Sequence, residues 1–352
     1  SALRHSRRRE VSQLALVSRR WRDLIQERLY RHLKIRGTRY YVNEAINWFC
    51  HHPHLCPYIR HIDIWFPVFQ QKDSILDPAL RLPSSAPDRS LLARGASTIE
   101  FNTAATYQLP SDNCTLEEVF RFIQMTFNKV CILTLEGGER KKPPMVRYFL
   151  HSNTQRQLAI LQSVRTLICK GQWNIIRSQA DFNNLAVALP NLNEWHASYA
   201  KPKSKSYLSM ATILPNLPIH LTHLNICLEA DYRREDFTPE YAKKVSRITH
   251  FCMEMAKAIP TLEHLAYTGR ICHEFFNKAA LVSNQRENRL KTVDIVVKNI
   301  CRPNLPELGW GDGSSITDMK FITAFEKLVV AATRSLGKLA AIEFLRIRYI
   351  DL

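Results

Sequence analysis

The sequence predicts an α/β chain in which short parallel strands alternate with helices in an elongated, solenoid-like array. Three observations predict it. A six-residue segment of the form Φ-x-x-Φ-x-Φ, with Φ apolar, recurs nine times. Between successive copies lie stretches with helical apolar spacing and helix-capping residues. Prolines stand where such a helix must give way to the next strand, because proline lacks an amide hydrogen and disfavours helix in the residue before it.

Residues 14–35 (LALVSRRWRDLIQERLYRHLKI) read as one amphipathic helix running through Leu29 and feeding a strand at Leu33 to Ile35. Leu14, Val17, Trp21, Leu24 and Ile25 recur at three- and four-residue steps and share a face, while Arg19, Arg20, Arg22 and Asp23 take the other. Residues 1–10 hold four arginines and one leucine, so the apolar face must pack on residues C-terminal to the helix or meet a partner.

The strand segments begin at Tyr30 (YRHLKI), Ile59 (IRHIDI), Val130 (VCILTL), Val164 (VRTLIC), Leu192 (LNEWHA), Leu221 (LTHLNI), Leu262 (LEHLAY), Leu290 (LKTVDI) and Ile342 (IEFLRI). Their starts are 29, 71, 34, 28, 29, 41, 28 and 52 residues apart. Half of these steps fall in the 20–29 range of leucine-rich repeats, so the expected fold is an irregular leucine-rich-repeat-like solenoid.

The connecting helices carry their own punctuation. Thr115 and Glu118 form a capping-box pair ahead of a stripe of Leu116, Val119, Phe120, Ile123 and Phe127. Asp181 is expected to cap a helix burying Phe182, Leu185 and Leu189, and Thr238-Pro239 to open a longer one through Val245, Ile248, Cys252, Met255 and Ile259. A last helix is expected from Asp318 to Leu336, and Pro57, Pro190 and Pro260 each precede a strand segment by two residues. Residues 67–114 break the pattern with five prolines and read as a surface insertion; Gly137–Pro144 and Lys201–Ser206 read as basic loops, and Gly309–Ser315 as a turn.

Composition narrows the function classes. The 352 residues are 45% hydrophobic and 23% charged, and no apolar run approaches the roughly 20 residues of a membrane span. A basic N-terminus without an apolar signal segment points to a cytoplasmic or nuclear protein. The net charge is +17, and residues 1–36 alone hold eleven Lys and Arg against three acids. Such a field attracts nucleic acid or an acidic protein surface alike. The nine cysteines contain no C-x-x-C pair, which argues against a disulfide framework.

Val11 to Ile25 (VSQLALVSRRWRDLI) resembles the second half of an F-box motif, whose ending follows a pattern like L-x-x-V-S-x-x-W-x-x-L, and Leu14, Val17, Ser18, Trp21 and Leu24 match it position for position. The continuation into RLYRHLKI and HHPHLCPYIRHIDI is similar to fungal F-box proteins in which the motif leads directly into irregular leucine-rich repeats. The resemblance implies two parts: partial F-box helices over residues 1–29, and a repeat domain over 30–352 with a loop insertion at about 67–114. It implies the substrate-recognition subunit of a Skp–cullin–F-box ubiquitin ligase, with Leu14, Val17, Ser18, Trp21 and Leu24 meeting a Skp-type adaptor and the repeats presenting a target protein. The motif's leading helix does not occur in the sequence and the chain lacks an initiator Met, so it is expected to be cut short at the N-terminus; ending directly after a strand, it is expected to be cut short at the C-terminus too.

Two further groups are candidates for sites. In each strand segment the first, fourth and sixth residues should point inward, and the third and fifth to the concave face. That places His32, Lys34, His61, Asp63, Glu194, His196, His223, Asn225, His264, Asp294 and Arg346 on one polar sheet surface. It is either a partner-binding face sensitive to histidine titration or a solvated one. Cys50 to Cys56 (CHHPHLC) is the densest Cys/His cluster, but its crowding at a helix end suits a polar terminus better than paired zinc ligands, and no metal or cofactor is expected. Hydrolase, zinc-protease and phosphate-loop motifs do not occur, so a non-enzymatic recognition module is expected, with a basic nucleic-acid-binding solenoid as the rival. Asn113-Cys114-Thr115 is a formal glycosylation sequon, but Thr115 fits a helix cap better.

Overall fold

A computed structural model describes residues 16–67, 112–138, 145–150, 157–199, 204–228, 250–284, 288–300 and 319–350. Helix α1 (Arg19–Tyr30) leads into β1 (His32–Arg36), and α2 (Arg39–His51) with a 3-10 turn (Pro53–Tyr58) leads into β2 (His61–Trp65). Then come α3 (Leu116–Thr126), β3 (Ile132–Glu136), β4 (Thr166–Lys170), a 3-10 turn (Gln172–Asn174), α4 (Gln179–Ala188) and β5 (Glu194–Ser198). The remainder is α5 (Ser204–Ile213), β6 (His223–Cys227), α6 (Phe251–Ala256), β7 (His264–Ile271), α7 (Glu274–Val282), β8 (Thr292–Ile300), α8 (Met319–Ser335) and β9 (Phe344–Tyr349).

The nine strands form one sheet in chain order, every neighbouring pair parallel. Each strand starts two residues after the start of its sequence segment. A repeated hydrogen-bond staple sets the register. In all eight steps the second and third amides of a segment donate to one carbonyl of the segment before, as Arg60 and His61 do to Arg31 O, at 2.8–3.1 Å. Inward positions one, four and six behave alike: Ile59, Ile62 and Ile64, or Val164, Leu167 and Cys169, are fully buried. They join residues of the connecting helices in one continuous core. Burying three such side chains per unit, at roughly 1.5–3 kcal/mol each, is what stacks one unit on the next. β9 is an edge strand with only half-buried inward residues, Leu345 and Ile347.

The Thr115–Glu118 capping box is present, with both reciprocal bonds made. Asn113 is buried and donates to Pro67 O at 2.9 Å, so its amide is part of the fold. Gly171 ends β4 with φ +61, and a Cβ there would lie 2.1 Å from Gly138 O, the carbonyl at the end of the neighbouring strand.

Several expectations are corrected. α1 begins after Ser18 rather than at Leu14, because extended Ser18 accepts the Trp21 amide at 3.2 Å as N-cap. The cap of α4 is Ser178, and Asp181 is its third-position partner: Ser178 Oγ accepts the Asp181 amide while Asp181 reaches back to the Ser178 amide. Residues 204–206, expected in a basic loop, open α5. His250 is extended ahead of α6, so the helix expected from Thr238 to Ile259 is not continuous; Ile259–Thr261 is a 3-10 turn containing Pro260. Residues 68–111 of the expected insertion, residues 139–144 and 309–315, and Leu14 and Thr238 lie outside the described residues. No helix among the described residues is long and apolar enough to cross a membrane.

Candidate functional site

The strand register converts the alternation of side chains into ordered rows on the face opposite the core. The first row runs His32, His61, Ile132, Thr166, Glu194, His223, His264, Thr292 and Phe344 across adjacent strands. The second row holds Lys34, Asp63, His196, Asn225, Asp294 and Arg346 among its members. At roughly 4.8 Å between strands, nine strands extend this face over about 38 Å. All the concave-face residues expected from the sequence therefore lie in these rows, and all but the exposed Asn225 fall into three separate groups.

At the β1–β3 end, the His32 and His61 rings stack with centroids 4.0 Å apart. His61 Nε2 lies 2.8 Å from Thr134 Oγ1. Burial, and next the neighbouring His32, push the His61 imidazole below its ordinary value; Asp63 opposes this and Lys170 adds to it. Asp63 is only 3% exposed although it belongs to the open face. Its carboxylate lies 3.7 Å from Lys34 Nζ and 3.8 Å from Lys170 Nζ, and its Oδ1 has no hydrogen-bond partner among the described residues. Lys34 also reaches Glu136 at 3.2 Å. Burial works to lower the Lys34 ammonium, but Glu136 and Asp63 outweigh it and hold it above the usual lysine value. The Arg36 guanidinium covers this corner, 5.5 Å from the Tyr41 ring centroid and 5.6 Å from that of Trp65.

At the centre, Glu194 accepts from Thr166 Oγ1 and pairs with His196 Nε2, both at 2.8 Å. Burial disfavours its charge, but the bonds from His196 and Thr166 prevail and hold the carboxyl below the usual range. Alongside, His223 and His264 stack at 4.2 Å. A threonine hydroxyl steadies each ring at 2.8 Å, Thr222 for His223 and Thr292 for His264. Burial and then His264 push His223 below its ordinary value, with Glu194 and Glu263 opposing. At the far end, Asp294 takes Arg346 through both guanidinium arms and Arg348 at 3.3 Å, tying β8 to the edge strand β9. The Arg346 hydrogen bonds, working against burial, hold the Asp294 carboxyl below the usual range.

The other expected contact surface lies on α1. Ile25 is 6% exposed, whereas Val17, Trp21 and Leu24 are 67%, 49% and 54% exposed. The helix sits on the 3-10 turn of Pro53–Tyr58, and Tyr30 stacks on Trp48 at 5.9 Å. Among the described residues, the apolar stripe is thus not the first layer of the core: Ile25 is buried, while Trp21 and Leu24 on the helix and Val17 just ahead of its cap face outward. Ser18 serves as the helix cap, a role in addition to the contact expected of it.

The Cys50–Cys56 stretch does not gather ligands. His51 Nδ1 donates to Asn47 O at 2.7 Å and His52 Nδ1 to Trp48 O at 2.9 Å, closing the end of α2. A different group does come together among the described residues. The ligand atoms of His250, Cys252 and Cys272 all lie within 4.8 Å of one another. The Cys272 thiol, 3.6 Å from His250 Nε2, raises that imidazole above its ordinary value against the pull of burial. Sequence reasoning missed this group because Cys272 stands twenty residues from Cys252; only the H-x-C pair at 250–252 was visible as a local signal. No protein-family model matches the chain, and no curated protein is detectably similar to it.

Proposed function

We propose that the chain is the substrate-recognition subunit of a Skp–cullin–F-box type ubiquitin ligase, a non-enzymatic module that docks through α1 and presents a target protein on its open sheet face. The observation that carries this reading is the exposure of Trp21 and Leu24 on α1, beside buried Ile25, and of Val17 just ahead of the Ser18 cap. An apolar helical stripe usually packs inward, and an exposed Trp is among the residues most enriched at binding hot spots. These positions are also the ones that match the F-box ending. The leucine-rich-repeat-like solenoid behind it supports the second half of the reading. Its open face displays donors, acceptors and fixed charges along its length rather than converging on one point, which suits an extended protein partner.

Nucleic-acid binding has less support, because Lys34, Lys170, Arg346 and Arg348 on that face already meet Asp63, Glu136 or Asp294. Phosphate-driven binding would fall with salt at a log-log slope of about −0.9 per neutralised phosphate of duplex DNA.

The test is co-purification with a fungal Skp-type adaptor. It uses this chain and the same chain with the motif's leading helix joined ahead of residue 1. The extended chain is expected to retain the adaptor, and Trp21→Ala to weaken retention by about thirtyfold, the equivalent of a 2 kcal/mol hot spot. No retention by the extended chain overturns the reading.

A further inference from the structure

We propose that His250, Cys252 and Cys272 form a zinc site of two thiolates and one imidazole, with the fourth position open to water or an exogenous ligand. The site is separate from both surfaces described above. It depends on an irregularity of the sheet. Strands β1 to β6 have five residues each, whereas β7 has eight. The extra length of strand passes a register shift between Gly269 and Arg270, where the Tyr267 hydroxyl donates to Arg270 O at 2.8 Å. That extension carries Cys272 beyond the regular sheet to the start of α6. There His250 is the extended residue ahead of the helix and Cys252 lies in its first turn.

The distances suit a tetrahedral cation. With Zn–S bonds of about 2.3 Å and Zn–N bonds of about 2.05 Å, the edges of the tetrahedron are about 3.6 Å for N···S and about 3.8 Å for S···S. His250 Nε2 and Cys272 Sγ are already 3.6 Å apart, and every other pair of ligand atoms is within 4.8 Å. Closing around the ion therefore requires movements of about 1 Å or less. The donor set chooses the cation: two thiolates and an imidazole favour a soft or borderline metal, while magnesium and calcium need oxygen ligands. The adjacent carboxylate, Glu274, is paired with His273 Nε2 at 3.0 Å. Cys252 and Cys272 are buried and His250 half-buried, so the ion would sit in protein rather than on the surface. Binding converts two thiols to thiolates and releases two protons to solvent. The bound ion pins the end of β7 to the start of α6.

The alternative is a thiol–imidazole hydrogen bond with no affinity for metal. The chain of residues 1–352, stripped with chelator and titrated with Zn2+, discriminates the two. One equivalent is expected to bind with release of two protons, and Co2+ in its place is expected to show thiolate-to-metal charge-transfer absorption. Cys252→Ser and Cys272→Ser are each expected to weaken binding at least a hundredfold, while a Cys50→Ser, Cys56→Ser double variant binds as the parent does. Because buried cysteine variants can misfold, hydrogen exchange of the unmodified chain is read in parallel. Zinc is expected to slow exchange in the segments carrying Phe251–Ala256 and Cys272. No zinc uptake by the unmodified chain, or zinc-induced protection confined to residues 50–56, overturns the proposal.

Discussion

Leu24 and Ile25 are neighbours in one helix with opposite burial, and the pair separates folding from docking. Ile25→Ala removes a side chain that is 6% exposed, on a helix that packs on the Pro53–Tyr58 turn. Buried Ile-to-Ala changes cost about 2–5 kcal/mol, and at an end helix the loss appears as local opening rather than global unfolding. Leu24 is 54% exposed and leaves no closed cavity, so Leu24→Ala loses only about half of the roughly 2 kcal/mol that full burial of a leucine supplies. Amide hydrogen exchange of the peptide covering α1 measures both. Ile25→Ala is expected to accelerate it about thirtyfold or more, up to the ceiling set by the helix's own opening free energy, and Leu24→Ala about fivefold or less. Adaptor affinity should show the reverse order, with Leu24→Ala weakening it about tenfold. Equal acceleration by the two variants would mean that the helix is held by the Leu24 face as well, and the free stripe would not exist.

Asp294→Ala should release β9. The ionic contacts to Arg346 and Arg348 are partly solvent-screened, so the loss is about 1–2 kcal/mol, seen as faster exchange confined to Phe344–Tyr349. Gly171→Ala combines a left-handed backbone with a methyl 2.1 Å from Gly138 O. It is expected to destabilise by about 3 kcal/mol or more and to lower the melting temperature. Acidification should also weaken the fold. His61 and His223 sit below their ordinary value of 6.5 in the folded chain, so the unfolded chain binds the extra protons and stability is lost as pH falls through 6.5. Raised His250 works in the opposite sense, and its contribution, present below 6.5, is lost as pH rises. Melting temperatures from about pH 7.5 to about pH 5.5 should fall, and His61→Gln with His223→Gln should flatten that fall; an unchanged slope would remove the two histidines as its cause.

The nine strands were legible because an inward residue at positions one, four and six is a requirement of each unit alone. Ile59, Ile62 and Ile64 must be apolar whatever lies beside them. The Thr115 capping box was legible for the same reason, since both partners lie within four residues. The Ser178 cap was misread one turn late, because an Asp at the third helical position can serve either end of the same pair of bonds. Outward residues could be assigned to a face but not to partners. That His61 meets His32 and Thr134, or that Glu194 meets Thr166, depends on register between segments whose starts lie 28 to 71 residues apart.

By itself the sequence determined the places and spacing of the nine strands found among the described residues, the polar character of the open face and the amphipathic face of α1, all of which follow from local periodicity. Tertiary structure decided the rest. It alone turned Val17, Trp21 and Leu24 outward, because burial depends on what the helix lands on. It alone buried Asp63 between two lysines, and it alone brought Cys272 to His250 and Cys252, because an over-long strand carried it there.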